Sequence, residues 1–119
     1  MVVELRQDQD LDDILERSKT DPVLIFKHST QCSISGEVHR EFMDFVAIAP
    51  QLKAVVVLVI ENRRLSDTVA ERLGVRHQSP QALLIKDGRV VWHASHWSIT
   101  SEALVSALRS YAQPAHQRN

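Results

Sequence analysis

Residues 22–46 read PVLIFKHSTQCSISGEVHREFMDFV, and this stretch decides the fold. Val23-Leu24-Ile25-Phe26-Lys27 is short and almost wholly apolar, the pattern of a strand covered on both faces by other elements. A polar loop, His28 to Gln31, follows it. Apolar residues then recur at Ile34, Val38, Phe42, Phe45 and Val46, a spacing that predicts a helix running to about Pro50. The chain's single cysteine, Cys32, stands in the loop that joins strand to helix.

Outward from this unit the same alternation continues. Lys53 to Glu61 carries an unbroken β-branched run, which predicts a central parallel strand. Ser66 to Leu73 reads as a short helix, with Val69 and Leu73 one turn apart and Gly74 placed to end it. Gln81 to Lys86 and Arg89 to Ala94 flank Asp87-Gly88, a strong hairpin signal. Thr100 is the expected N-cap of a last helix, with Ile99 and Leu104 as its staple and Leu104, Leu108 and Tyr111 as its buried stripe. Upstream, Val2, Val3 and Leu5 suit a short first strand. Asp10 is the expected N-cap of a helix through Leu11, Ile14 and Leu15 that ends before Asp21-Pro22. The order is β-α-β-α-β-α-β-β-α. It predicts an α/β domain with right-handed parallel crossovers and a closing antiparallel hairpin, in the element order of a thioredoxin-like fold. The expected domain covers residues 1–112, with 113–119 as a flexible tail.

Composition narrows the function. The chain has 119 residues, of which 44% are apolar, which suits one domain with a sizeable core. Fourteen Lys plus Arg against fifteen Asp plus Glu give a net charge of −1, so a nucleic-acid partner is not expected. One cysteine rules out a disulfide-stapled fold and any zinc site built from several thiolates. The opening residues have no cationic start and no apolar core of a signal peptide. The longest apolar run, Ala54 to Ile60, falls far short of the roughly 20 residues of a membrane span. A cytoplasmic protein that touches no membrane, with its lone thiol reduced, is the expectation.

Cys32 would begin the helix, where unpaired N–H groups and the macrodipole favour an anion. Lys27 and His28, just upstream, would add positive potential. By position alone, a reactive thiolate and a buried structural cysteine are equally open. Ser35 lies three residues on, in the slot that holds the resolving thiol of a dithiol oxidoreductase; an ordinary first-turn serine is the other reading. With no second cysteine, any disulfide made by Cys32 joins it to another molecule. His28 and Cys32 are four apart and His93 and His96 three apart, which matches no recognised ligand spacing, so no metal is expected. Trp92 and Trp97 suit packing or the shelter of a substrate face, and Arg63-Arg64 a solvated turn or an attraction for an acidic thiol.

The strings Phe26-Lys27-His28-Ser29-Thr30 and Cys32-Ser33-Ile34-Ser35 resemble the active-site segment of the YtxJ-like monothiol bacilliredoxins, thioredoxin-like proteins of the bacillithiol system. Ser79-Pro80 and Ser95-His96-Trp97-Ser98-Ile99-Thr100 extend the resemblance over nearly the whole domain. Gln31 and Ser33 stand where that family's pattern has threonine and proline, and loss of a helix-start proline frees one N–H. The resemblance implies a cis peptide at Pro80 beside Cys32, with the backbone of Ser79 facing the site; a plain turn proline is the alternative.

The resemblance also implies a function. Cys32 would attack mixed disulfides between target proteins and bacillithiol, a substrate thiol rather than a tightly bound cofactor. Thr30, Gln31 and Ser35 would hydrogen-bond the sulfur or the substrate, while Ser79 and Pro80 shape the groove. The partners would be S-bacillithiolated proteins and a low-molecular-weight thiol. Two other classes stand beside this reading: a carrier sharing an iron–sulfur cluster between subunits, as monothiol glutaredoxins do, and a binding module whose cysteine is structural.

Overall fold

The computed structural model describes residues 2–111; the tail expected at 113–119 lies outside them. The elements are β1 (Val3–Glu4), α1 (Asp8–Arg17), β2 (Val23–His28), α2 (Ser33–Ile48), β3 (Lys53–Leu58), α3 (Arg63–Leu73), β4 (Gln81–Lys86), β5 (Arg89–Ser95), a 3₁₀ turn (His96–Ser98) and α4 (Ser101–Tyr111). The five strands form one sheet in the order β1-β3-β2-β4-β5.

The apolar run of β2 takes the central position, and its alternation feeds two cores. Leu24 and Phe26 pack with Val38, Phe42, Phe45 and Leu104 under α2 and α4. Val23 and Ile25 pack with Leu11, Ile14, Leu65 and Val69 under α1 and α3. β3 runs parallel to β2 from Val23 opposite Lys53 to His28 opposite Leu58. The tight turn of the β4–β5 hairpin is Asp87-Gly88, with φ of 54° and 76°, the left-handed pair that a two-residue hairpin turn requires. Its amides are anchored on the end of α1: Asp87 N–H donates to Ser18 O at 2.8 Å and Gly88 N–H to Ser18 Oγ at 2.9 Å.

Several boundaries differ from the sequence reading. α1 starts at Asp8, because Gln7 caps it and Asp10 closes the capping box from the third helical position. α3 starts at Arg63 because Asn62 Oδ1 accepts from Leu65 N–H at 3.3 Å. Gly74, with φ of 67°, ends α3 as expected. On α4, Thr100 Oγ1 accepts from Ala103 N–H at 3.0 Å as the expected cap, but Tyr111 is exposed and Ala107 is buried in its place. The α3 connection is not a parallel crossover either: β4 runs antiparallel to β2, pairing Gln81 with Lys27 and Ile85 with Val23. β4 therefore starts at the end of the sheet where β2 stops, and this reversal builds the site.

Candidate active site

Cys32 is half-buried and is itself the N-cap of α2, in extended conformation. Gly36 N–H donates to Cys32 O at 3.1 Å, the first backbone bond of the helix, so the amides of residues 33–35 form its open positive end. The first turn of α2 carries no acidic residue, whereas α1 begins with Asp8 and Asp10. No carboxylate in that turn competes with an anionic sulfur for the dipole.

Ser35 is fully buried. Its Oγ accepts from Ser29 N–H at 2.9 Å and lies 2.7 Å from His28 Nδ1. Burial holds the His28 imidazole below its usual value, proximity to His39 adds to this, and Glu61 opposes it. Burial likewise lowers His39. The tautomer of the ring sets which of the two groups donates in the bond between the Ser35 hydroxyl and His28 Nδ1. The two rings stack at a centroid distance of 4.5 Å, and Phe26 and Phe42 continue the aromatic array at 4.7 Å. The slot of a resolving thiol thus holds a hydroxyl that welds the end of β2 to the first turn of α2.

Thr30 and Gln31 lie on the exposed loop before Cys32. Thr30 Oγ1 donates to Glu61 Oε2 at 2.9 Å, and Gln31 N–H donates to Ser29 Oγ at 3.4 Å. The peptide Ser79–Pro80 is cis. Since Gln81 pairs with Lys27, Pro80 enters the sheet beside His28, at the same end as the Cys32 loop. Ser79 Oγ is buried without a hydrogen-bond partner among the described residues. His96 N–H donates to Pro80 O at 3.0 Å, and His96 itself adopts φ of 53°. Trp97, 59% exposed, borders a cleft of about 360 Å³ with Glu37, Arg40, Glu41, Ile99 and Thr100.

Other expected contributors are placed elsewhere. Lys27 points to the opposite face of the sheet, because adjacent strand residues alternate, and its Nζ lies 3.1 Å from His77 Nδ1. Arg63 and Arg64 make exposed ion pairs with Asp67 and Asp8, at 3.3 and 3.1 Å. Trp92 packs half-buried against the α2–α4 core. Among the described residues no group of three or more His, Cys, Asp or Glu is placed to hold a metal ion. No helix of the described residues is long and apolar enough to cross a membrane. Sequence reasoning missed His39, although Ser35, His39 and Phe42 fall at helical spacing on the face that meets Phe26 and His28. It also missed His77, fifty residues from Lys27, for which no local signal exists.

Known proteins match this architecture. A solved structure described as a candidate oxidoreductase with a thioredoxin fold is 29% identical, with a TM-score of 0.80 over 89% of this chain and 92% of its own. A thioredoxin from Nicotiana alata is 20% identical, with a TM-score of 0.75 over 94% of this chain and 93% of its own. A mutant thioredoxin from Halobacterium salinarum is 23% identical, with a TM-score of 0.72 over 96% of this chain and 93% of its own. The last two likenesses show the fold alone. The family model of the monothiol bacilliredoxin BrxC matches residues 3–104. A lone cysteine on a helix N-terminus in a thioredoxin fold fits that match, and the chain belongs to the monothiol bacilliredoxin family.

Proposed function

We propose that this chain removes bacillithiol from mixed disulfides on proteins, with Cys32 as the nucleophile. The observation that carries the reading is the pairing of one thiol at the open N-terminus of α2 with a buried Ser35 committed to His28 and Ser29. Such a site has a nucleophile and no internal resolving thiol. It suits a reaction that stops at a mixed disulfide.

The Cys32 thiolate attacks the bacillithiol sulfur of protein–S–S–bacillithiol. A bond forms between the two sulfurs, the protein sulfur leaves as thiolate and takes a proton from solvent, and Cys32 carries bacillithiol as a disulfide. A second bacillithiol thiolate then attacks the same bacillithiol sulfur, releases Cys32 as thiolate and departs as the symmetrical disulfide. The amides at the start of α2 stabilise the anionic sulfur in both steps. Ser79 offers its backbone to an extended substrate, Pro80 shapes the wall opposite Cys32, and the exposed Thr30 and Gln31 meet the incoming disulfide. The reaction belongs in a reducing compartment such as the cytoplasm.

The test is mass spectrometry of the wild-type chain incubated with a bacillithiolated protein. The target thiol is released and one bacillithiol adduct appears on Cys32; Cys32→Ser does neither. Transfer at full rate by Cys32→Ser overturns the mechanism. A wild-type chain that takes no adduct from bacillithiol, but takes one from another small-thiol disulfide, overturns the choice of thiol.

A further inference from the structure

β2 ends with two polar residues that point to opposite faces, and each reaches a different wall of the site. His28 binds Ser35 in α2, 2.7 Å away. Lys27, immediately before it, is fully buried on the α1–α3 face, with Nζ 3.1 Å from His77 Nδ1. His77 also meets the buried Ser66 of α3, Oγ to Nδ1 at 3.3 Å, and it lies two residues before Ser79–Pro80. Burial of a lysine among Val23, Ile25, Val57 and Leu65 is costly, and a methionine or leucine at position 27 would continue the apolar strand more cheaply. A costly buried cation that hydrogen-bonds His77, with Asp67 as an attractive charge among the described residues, specifies an arrangement more than it stabilises a fold.

We infer that Lys27 and His77 are positioning residues for the proposed exchange: their hydrogen bond fixes the segment leading to Ser79–Pro80 against the end of β2 and so sets the wall that faces Cys32. The inference rests on the proposed function. Gln81 of β4 still holds the segment through Gln78 N–H and Arg76 O, at 3.4 and 3.0 Å, but without the bond its anchor on β2 is gone, and the substrate must fix it there at a cost in affinity. Nothing changes at Cys32 or α2, so the intrinsic reactivity of the thiol is untouched. The pair therefore acts on KM and not on the chemical step.

The experiment compares wild type with Lys27→Met, His77→Leu and His77→Asn, the last of which keeps a side-chain acceptor where Nδ1 stood. With a bacillithiolated protein as substrate, Lys27→Met and His77→Leu raise KM about tenfold or more, the loss of one charge-assisted hydrogen bond, and leave kcat within about twofold. His77→Asn restores KM to within about twofold of wild type. The alkylation rate of Cys32 with iodoacetamide stays constant across the series, and amide hydrogen exchange at residues 76–79 speeds up only in Lys27→Met and His77→Leu. Unchanged KM in both variants overturns the inference. So does alkylation that slows in step with exchange, which would show the cation acting directly on the thiol. A wild-type chain that exchanges no disulfide defeats the proposed function instead, and the amide exchange still reports whether the pair holds the segment.

Discussion

The imidazoles of His28 and His39 lie face to face, 4.5 Å between centroids and 24° from parallel. Two stacked rings cannot both carry a proton without repulsion, and burial disfavours a proton on either. Burial and this proximity both hold His28 below its ordinary value. The consequence is a site scaffold that resists protonation.

Acid therefore destabilises the fold. His28, His39 and His77 all have folded values lowered from 6.5. Below 6.5 the unfolded chain binds more protons than the folded one, so their contribution is fully present above 6.5 and is lost as pH falls through the lowered folded values. Urea unfolding followed from about pH 7 to about pH 5 gives a falling midpoint. In His39→Phe, which keeps a ring on Phe26 and Phe42, the fall is shallower. An equal fall in that variant refutes the account.

The alkaline side behaves in the same sense through Lys27. Burial is the main cause that lowers it from 10.5 to about 8; Asp67 opposes this and Arg63 adds to it. Between about 8 and 10.5 the folded chain has released a proton that the unfolded chain still binds, so stability rises with pH across that window. Lys27→Met should flatten this rise and leave the protein as stable as wild type, or more stable by about 1 kcal/mol, at neutral pH. Chemical denaturation of both proteins at several alkaline pH values reads it directly.

Ser35 separates two roles. Ser35→Ala leaves Ser29 N–H and His28 Nδ1 without their partner, at a cost of about 1–3 kcal/mol in unfolding free energy. Ser35→Cys sets a second thiol at the third helical position, three residues after the N-cap Cys32. Under mild oxidant it should form an internal disulfide and lose both free thiols, counted by alkylation and mass spectrometry. A folded Ser35→Cys protein that keeps two free thiols contradicts this placement.

At the far wall, Thr100→Ala removes the acceptor for Ala103 N–H and lowers stability by about 1 kcal/mol. Ile99 and Leu104 are both buried on the core, so α4 stays docked and the adduct still forms on Cys32. Calorimetry and mass spectrometry on the same sample test the two halves of this statement.

The elements were legible wherever a local pattern carries them. The β2 run, the α2 stripe, Gly74 and Asp87-Gly88 each announce their geometry within a few residues, and the structure agrees with each. Helix starts were misread where the first turn is exposed and the cap lies outside the apolar stripe, as at Gln7 and Asn62. The direction of β4 was not legible, since the segment after α3 can return the chain either way and long-range pairing decides. Within the site, Cys32 and Ser35 sit on local signals, while the cis peptide at Pro80 was implied by the family resemblance. The Lys27–His77 bond spans fifty residues and depends on the closed sheet, so no window of sequence contains it.

The strand order β1-β3-β2-β4-β5 has a consequence for biosynthesis. β2 and Cys32 are translated early, yet both strands that flank β2 come later in the chain. During synthesis β2 and the Cys32 loop therefore leave the ribosome before either strand that pairs with β2, and Pro80, which meets the end of β2, follows only after the first three strands. A nascent or truncated chain carries the cysteine without its surroundings. The end of β2 that carries the cysteine is flanked on both sides only once β4 has paired with it.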